Sequence, residues 1–262
     1  MMKIEKRSAF GIFSSVVKAL FLREIQTRFG TKKFGYIWAL ADALSKIIVF
    51  SVIKTLVSSS AMPQIDFPVF LATSFLAYNF FQHIVKKSMD AFDANSALFV
   101  YRQVRPVDTI IARALVEFMV LVSATAALVG LGAYFDLDMA VKEINMVIFA
   151  FAWIGLFGLS LGLLFAVGVV YFPNFGRVVN FLFTPLLFLS ALFYTVESLP
   201  PVARELILYN PLVHFMEMIH GFYFATLSTA YVDYSYMIMW TAVPLFFGLW
   251  LYRHSEKRII AS

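Results

Sequence analysis

FDANSALFVYRQVRPVDTIIARALVE, residues 92–117, is a polar island between two long apolar runs, and its reading decides the fold. Asp93, Arg102, Arg105, Asp108 and Arg113 would each cost roughly 2.5–3.5 kcal/mol at the centre of a spanning helix, so the segment belongs in water at one face of a membrane. Residues 94–100 have the composition of a short helix carrying Leu98 and Phe99, with Tyr101 just beyond. A loop with nothing to dock against rarely offers a leucine, a phenylalanine and a tyrosine to water. The island is therefore expected to be a handle for a soluble partner, the alternative being a plain solvated loop.

Composition agrees with a membrane setting. Of 262 residues, 61% are hydrophobic, 18% aromatic and only 14% charged, and the mean hydropathy is +0.81. Those values describe an integral membrane protein. At about twenty residues per crossing there is room for roughly five to seven helices and no separate soluble domain, so one membrane domain over residues 1–262 is expected. Cysteine is absent, which excludes disulfides, thiolate metal sites and cysteine nucleophiles. The basic N-terminus leads into an amphipathic stretch instead of a compact apolar core, so no cleaved signal peptide is expected.

In residues 8–29 the apolar positions Phe10, Phe13, Val17, Leu20 and Phe21 recur at helical spacing, which predicts an amphipathic helix along a membrane surface. Its basic residues suit anionic headgroups. Crossings are predicted at 36–57, 67–85, 109–133, 146–171, 178–194 and 236–252, giving an all-α protein with six spanning helices. Asp42 and Lys46 stand one helical turn apart in the first crossing, where they can neutralise one another as a structural pair or line a polar cavity. Arg113 and Glu117 ride the first turns of the third crossing, near the interface. Gly155, Gly158, Gly162 and Gly168 offer close helix packing in the fourth.

Residues 198–227 are broken by Pro200-Pro201 and Pro211 into apolar pieces, the first of them far too short to span. That pattern predicts a re-entrant hairpin. His214 and Glu217, one turn apart, lack a third metal ligand, so a buried hydrogen-bonded pair is expected there and no metal site. Residues 253–262 read as a basic tail. Lysine and arginine are concentrated in the N-terminal 35 residues, the island, Arg177 and that tail, whereas the other loops hold only Lys142 and Arg204. The positive-inside rule puts both termini and the island in the cytoplasm, and the hairpin outside.

No G-x-x-x-x-G-K-[ST] or H-E-x-x-H occurs, so the chain is expected neither to bind ATP itself nor to be an enzyme. A secondary transporter should show internal repeats or charges spread over several helices near the midplane, and neither is visible.

Three segments carry a resemblance: FLREIQTRFGTKKFGYIWAL (21–40), LFVYRQVRPVDTIIARALVE (98–117) and YNPLVHFMEMIHG (209–221). They resemble the capsular polysaccharide export permeases, the membrane subunits of ABC-2-type ATP-binding-cassette transporters, and the similarity runs nearly end to end. The resemblance implies a homodimeric permease of a bacterial inner membrane, with a cytoplasmic interface helix, six spanning helices and outward-facing re-entrant helices between the last two. It implies two ATPase subunits that bind ATP and Mg, a lipid-linked acidic polysaccharide as cargo, periplasmic co-polymerase and outer-membrane partners, and no nucleic acid. An exporter of O-antigen or teichoic acid is the alternative within the class. Two departures stand out: Asp42-Ala43 where relatives commonly read Glu-Pro, and His220 where an arginine often follows the hairpin glutamate.

On this reading residues 92–108 couple to the ATPase, with Leu98, Phe99 and Tyr101 in a groove of it and Asp93, Arg102, Arg105 and Asp108 at the rim. An acidic polymer first meets Arg23, Arg28, Lys32 and Lys33. Tyr36, Trp38, Asp42, Lys46 and Tyr78 are the channel candidates, because aromatic rings with scattered polar groups can hold a sugar chain loosely. Asn210, His214 and Glu217 hold the hairpin.

Overall fold

The computed structural model describes residues 8–29 and 65–261, with positions 45, 48, 49 and 52 between them. The first predicted crossing, with Tyr36, Trp38, Asp42 and Lys46, lies outside the described residues, as do Lys32 and Lys33. Every element among the described residues is helical.

Helix α1 (Ala9–Phe29) lies against α3 (Pro106–Tyr134), burying Val16, Val17 and Leu20. Phe10 and Phe13 of the predicted stripe remain exposed, so the face that packs on protein is offset from the face that was read as lying on lipid. Helix α2 (Phe67–Met89) is the most enclosed long helix, and α4 (Ile144–Tyr171) runs along it. The predicted glycine seam is the reason they approach so closely. A Cβ on Gly155 would lie 2.8 Å from the Phe80 ring, on Gly158 3.3 Å from the Phe81 carbonyl oxygen, and on Gly162 2.7 Å from Ser88 Cβ. Gly168 instead faces Phe175.

Among the described residues three helices are long and apolar enough to cross a membrane: α3, α4 and the last helix, α8 (Tyr234–Ala261). The predicted basic tail is in fact the continuation of α8, where Ile259 joins the buried cluster that holds Phe92 and Phe99 and gives the final turns an apolar anchor. The predicted crossing at 178–194 is also corrected. Helix α5 (Phe175–Phe188) has 14 residues, about 21 Å at 1.5 Å per residue, short of a ~30 Å hydrocarbon core. Pro185 withholds one N–H from it, and Ala191 then takes a left-handed φ of 55°. Asn210 Nδ2 fixes the turn by donating to Leu189 O at 2.8 Å and Ser190 Oγ at 3.0 Å.

Two short helices follow, α6 (Pro201–Ile207) and α7 (Pro211–Tyr223), each opened by proline as the sequence predicts. Helix α6 buries no residue, whereas α7 is buried on nearly all sides. Phe215 of α7 stacks on Phe157 of α4 with centroids 4.9 Å apart and planes 6° from parallel, and Phe157 stacks in turn on Phe81 of α2 at 5.1 Å.

Candidate functional site

The island occupies one end of the bundle, joined to α2 and leading into α3. Asp93–Leu98 forms a 3-10 turn, and Asn95 within it is buried, its Nδ2 donating to Ala91 O at 2.8 Å. This geometry sorts the coupling candidates. Phe99 is only 5% exposed and packs with Phe92, Tyr252 and Ile259, so it is part of the protein's own core and is not available to a partner. Leu98 is half-buried against α1. Of the three apolar candidates Tyr101 alone is open, at 65%, and its neighbour Val100 is exposed at 84%. Phe99 caps the 3-10 turn of three residues per repeat and is directed inward, while Val100 and Tyr101 beyond it face out.

Asp108 is likewise withdrawn from the rim. It is 3% exposed and accepts from Arg105 N at 3.0 Å, closing the first turn of α3 after Pro106. Asp93, Arg102 and Arg105 of the same segment remain exposed. The large apolar side chains the island leaves open to a partner are thus Val100 and Tyr101.

Behind that surface lies a charge network that the sequence reading divided among separate roles. Arg28 of α1 donates to Glu117 of α3, a carboxylate only 2% exposed. His83 Nδ1 of α2 lies 3.4 Å from the other oxygen of Glu117. Arg113 sits 3.4 Å from Glu24 Oε1 and donates from Nη1 to Lys87 O at 2.9 Å. Arg23 Nη1 donates to Asn95 Oδ1 at 2.9 Å. Arg23 and Arg28, the described members of the expected cationic approach, therefore bind the chain's own helices. His83, Glu24 and Asn95 were missed, since their partners lie in distant sequence.

The channel candidate Tyr78 is 1% exposed, and its hydroxyl donates to Phe183 O, so it joins α2 to α5 and lines no opening among the described residues. At the opposite end, His214 and Glu217 are both buried but are not partners. His214 Nε2 meets Leu208 O at 2.9 Å while Nδ1 accepts from Asp233 N at 3.1 Å. Glu217 Oε1 accepts from Val196 N at 3.1 Å. Each pins a different loop to α7, which corrects the expected pair. Asn210 caps α7, its Oδ1 accepting from Leu212 N at 3.1 Å. Among the described residues no group of three His, Cys, Asp or Glu is placed to hold a metal ion.

Apolar helices of membrane-crossing length with a polar surface at one end define a helical membrane protein. Residues 15–224 match the ABC-2 type transporter family, and the chain belongs to it. It is similar to the polysialic acid transport protein KpsM of Escherichia coli, 37% identical over 262 residues that cover 98% of this chain and 99% of the relative. It is also similar to the capsule polysaccharide export inner-membrane protein BexB of Haemophilus influenzae, at 25% identity over 97% of this chain and 96% of the relative. CtrC of Neisseria meningitidis serogroup B, which bears the same description, is 27% identical over 89% of this chain and 88% of the relative.

Proposed function

We propose that this chain is the membrane-spanning permease of an ATP-driven exporter that moves lipid-linked acidic capsular polysaccharide from the cytoplasm across the bacterial inner membrane. The observation that carries the reading is the near end-to-end similarity to KpsM, a polysialic acid transport protein, together with membership of the ABC-2 family. The names of BexB and CtrC favour capsule export over O-antigen or teichoic acid export.

In this reading the permease works as a homodimer of subunits with six apolar membrane segments, the fifth being the short α5, and an outward re-entrant hairpin, and both termini are cytoplasmic. Two ATPase subunits bind ATP and Mg below it, and the polymer passes on to periplasmic and outer-membrane proteins. Val100, Tyr101, Asp93, Arg102 and Arg105 form the surface that meets the ATPase, and Leu98 and Phe99 shape it from beneath. The ion pairs of α1 with α3 make these helices move as one when the ATPase closes, and the two permease copies then part. Tyr36, Trp38, Asp42 and Lys46 face the path that opens, and Lys32 and Lys33 attract the acidic polymer. Asn210, His214 and Glu217 hold the outward hairpin.

The test is reconstitution with the candidate ATPase of the same export system. The permease alone should hydrolyse no ATP. In a capsule-negative strain lacking the permease gene, the wild-type gene should restore surface polysaccharide only beside an ATPase with an intact P-loop lysine. Export that persists with an ATPase inactive at that lysine overturns the reading.

A further inference from the structure

Between α1 and α3 runs a groove of about 650 Å³, walled by Phe10, Phe13, Val17 and Phe21 on one side and by Ile111, Leu115, Phe118 and Val122 on the other. Its α3 wall follows one helical face from Ile111 to Ser123, ~18 Å at 1.5 Å per residue, close to the ~15 Å of hydrocarbon in a single leaflet. The lining is almost wholly apolar, and Lys18 stands on its α1 wall with Ser14 one turn away. Lys18 is exposed and has no ion pair among the described residues, whereas Arg23, Arg28 and Arg113 are engaged by Asn95, Glu117 and Glu24.

We propose that this groove binds an anionic phospholipid of the cytoplasmic leaflet, one acyl chain lying along Ile111, Leu115, Phe118 and Val122 and the headgroup meeting Lys18. The proposal rests on the orientation given above, which sets the start of α3 at the cytoplasmic face. Charge complementarity selects the occupant. The one uncommitted charge of the groove is a cation, carried on a helix lying where headgroups lie, while the opposite wall enters hydrocarbon. An apolar protein segment would have no use for Lys18. The lipid completes the α1–α3 contact on the side that Val16 and Leu20 leave open, in parallel with the ion pairs on the other.

The full-length permease, purified in mild detergent and stripped of lipid, is titrated with phosphatidylglycerol or phosphatidylcholine of identical acyl chains, and retained lipid is counted by native mass spectrometry. Wild type should favour phosphatidylglycerol about fivefold, the factor expected from one interfacial lysine. Lys18→Glu should abolish that preference and leave phosphatidylcholine retention unchanged. Leu115→Trp, which fills the groove, should reduce retention of both lipids, with the thermal transition reporting that the variant is folded. Equal retention of the two lipids by wild type, or a preference that survives Lys18→Glu, overturns the site. Lipid binding is read without the ATPase or any polysaccharide, so its failure leaves the export function standing, and failure of export leaves the lipid site standing.

Discussion

Glu24 of α1 faces Arg113 of α3 at 3.4 Å, and one turn further along both helices the signs are exchanged where Arg28 meets Glu117. The exchange fixes register, because sliding α1 by one turn would set acid on acid in one direction and base on base in the other. His83 and Lys87 O bring α2 into the same array. Beside it α1 is held by the burial of Val16, Val17 and Leu20 and by the hydrogen bond from Arg23 to Asn95. The array therefore decides how α1 sits on the bundle.

Glu117→Ala should destabilise the protein by about 1.5–3 kcal/mol, because it leaves Arg28 without the charged acceptor it was built around. Adding Arg28→Met should recover part of the loss, and the coupling is read from the double-mutant cycle. Thermal unfolding in detergent measures it. Strict additivity of the two single changes would mean that the contact contributes nothing.

Gly162→Leu and Gly155→Leu should separate α2 from α4, since even a methyl would have to share space with Ser88 or Phe80. Overpacking of this kind costs about 1–3 kcal/mol, occasionally more. Gly130→Ala is the control, as nothing stands within 4 Å of its added carbon. Membrane-inserted yield and melting temperature should fall for the first two and hold for the control.

How much of this was legible in the sequence depended on the range of the interaction. Apolar runs and glycine spacing are local, so α2, α3, α4 and the packing seam were readable within a few residues of their ends. The proline-opened α6 and α7 were readable for the same reason. The early end of α5 was not, because it depends on Asn210 reaching back to Leu189. Nor was the length of α8, whose last turns are anchored where Ile259 joins the buried cluster that holds Phe92 and Phe99. Within the candidate site, the polar island was legible as a segment outside the apolar helices, but which of its side chains face outward was set by the 3-10 turn.

Glu217→Gln should be tolerated and Glu217→Ala should not. The amide keeps an oxygen for Val196 N–H, whereas alanine leaves that donor unpaired at a residue with no exposure. An orphaned buried donor costs about 1–3 kcal/mol. Hydrogen exchange at Val196 is the direct readout: rapid exchange is expected in the alanine variant and protection in the glutamine variant. His214→Ala should loosen a different place, the backbone at Asp233, because the two side chains hold separate loops.

Phe99 and Tyr101, two residues apart, should fail in opposite ways. Phe99→Ala empties a buried aromatic site shared with Phe92, Tyr252 and Ile259, so the permease itself should lose about 3–5 kcal/mol and insert poorly or melt early. Its effect on ATPase binding follows from that damage. Tyr101 is exposed and packs into no core cluster among the described residues, so Tyr101→Ala should leave the melting temperature within about 1 °C of wild type, surface substitutions away from special features being small. If Tyr101 fills a pocket on the ATPase, its loss should nonetheless weaken the complex by ~2 kcal/mol or more, roughly thirtyfold in affinity. Val100→Ala should behave like a weaker Tyr101→Ala. Arg105→Ala should change affinity by less than tenfold and chiefly at low salt, as rim ion pairs do. Pull-down of the ATPase at two salt concentrations, run beside a melt of the free permease, separates the classes. A Tyr101→Ala permease that binds the ATPase and exports polymer at wild-type levels would remove this surface from the coupling contact.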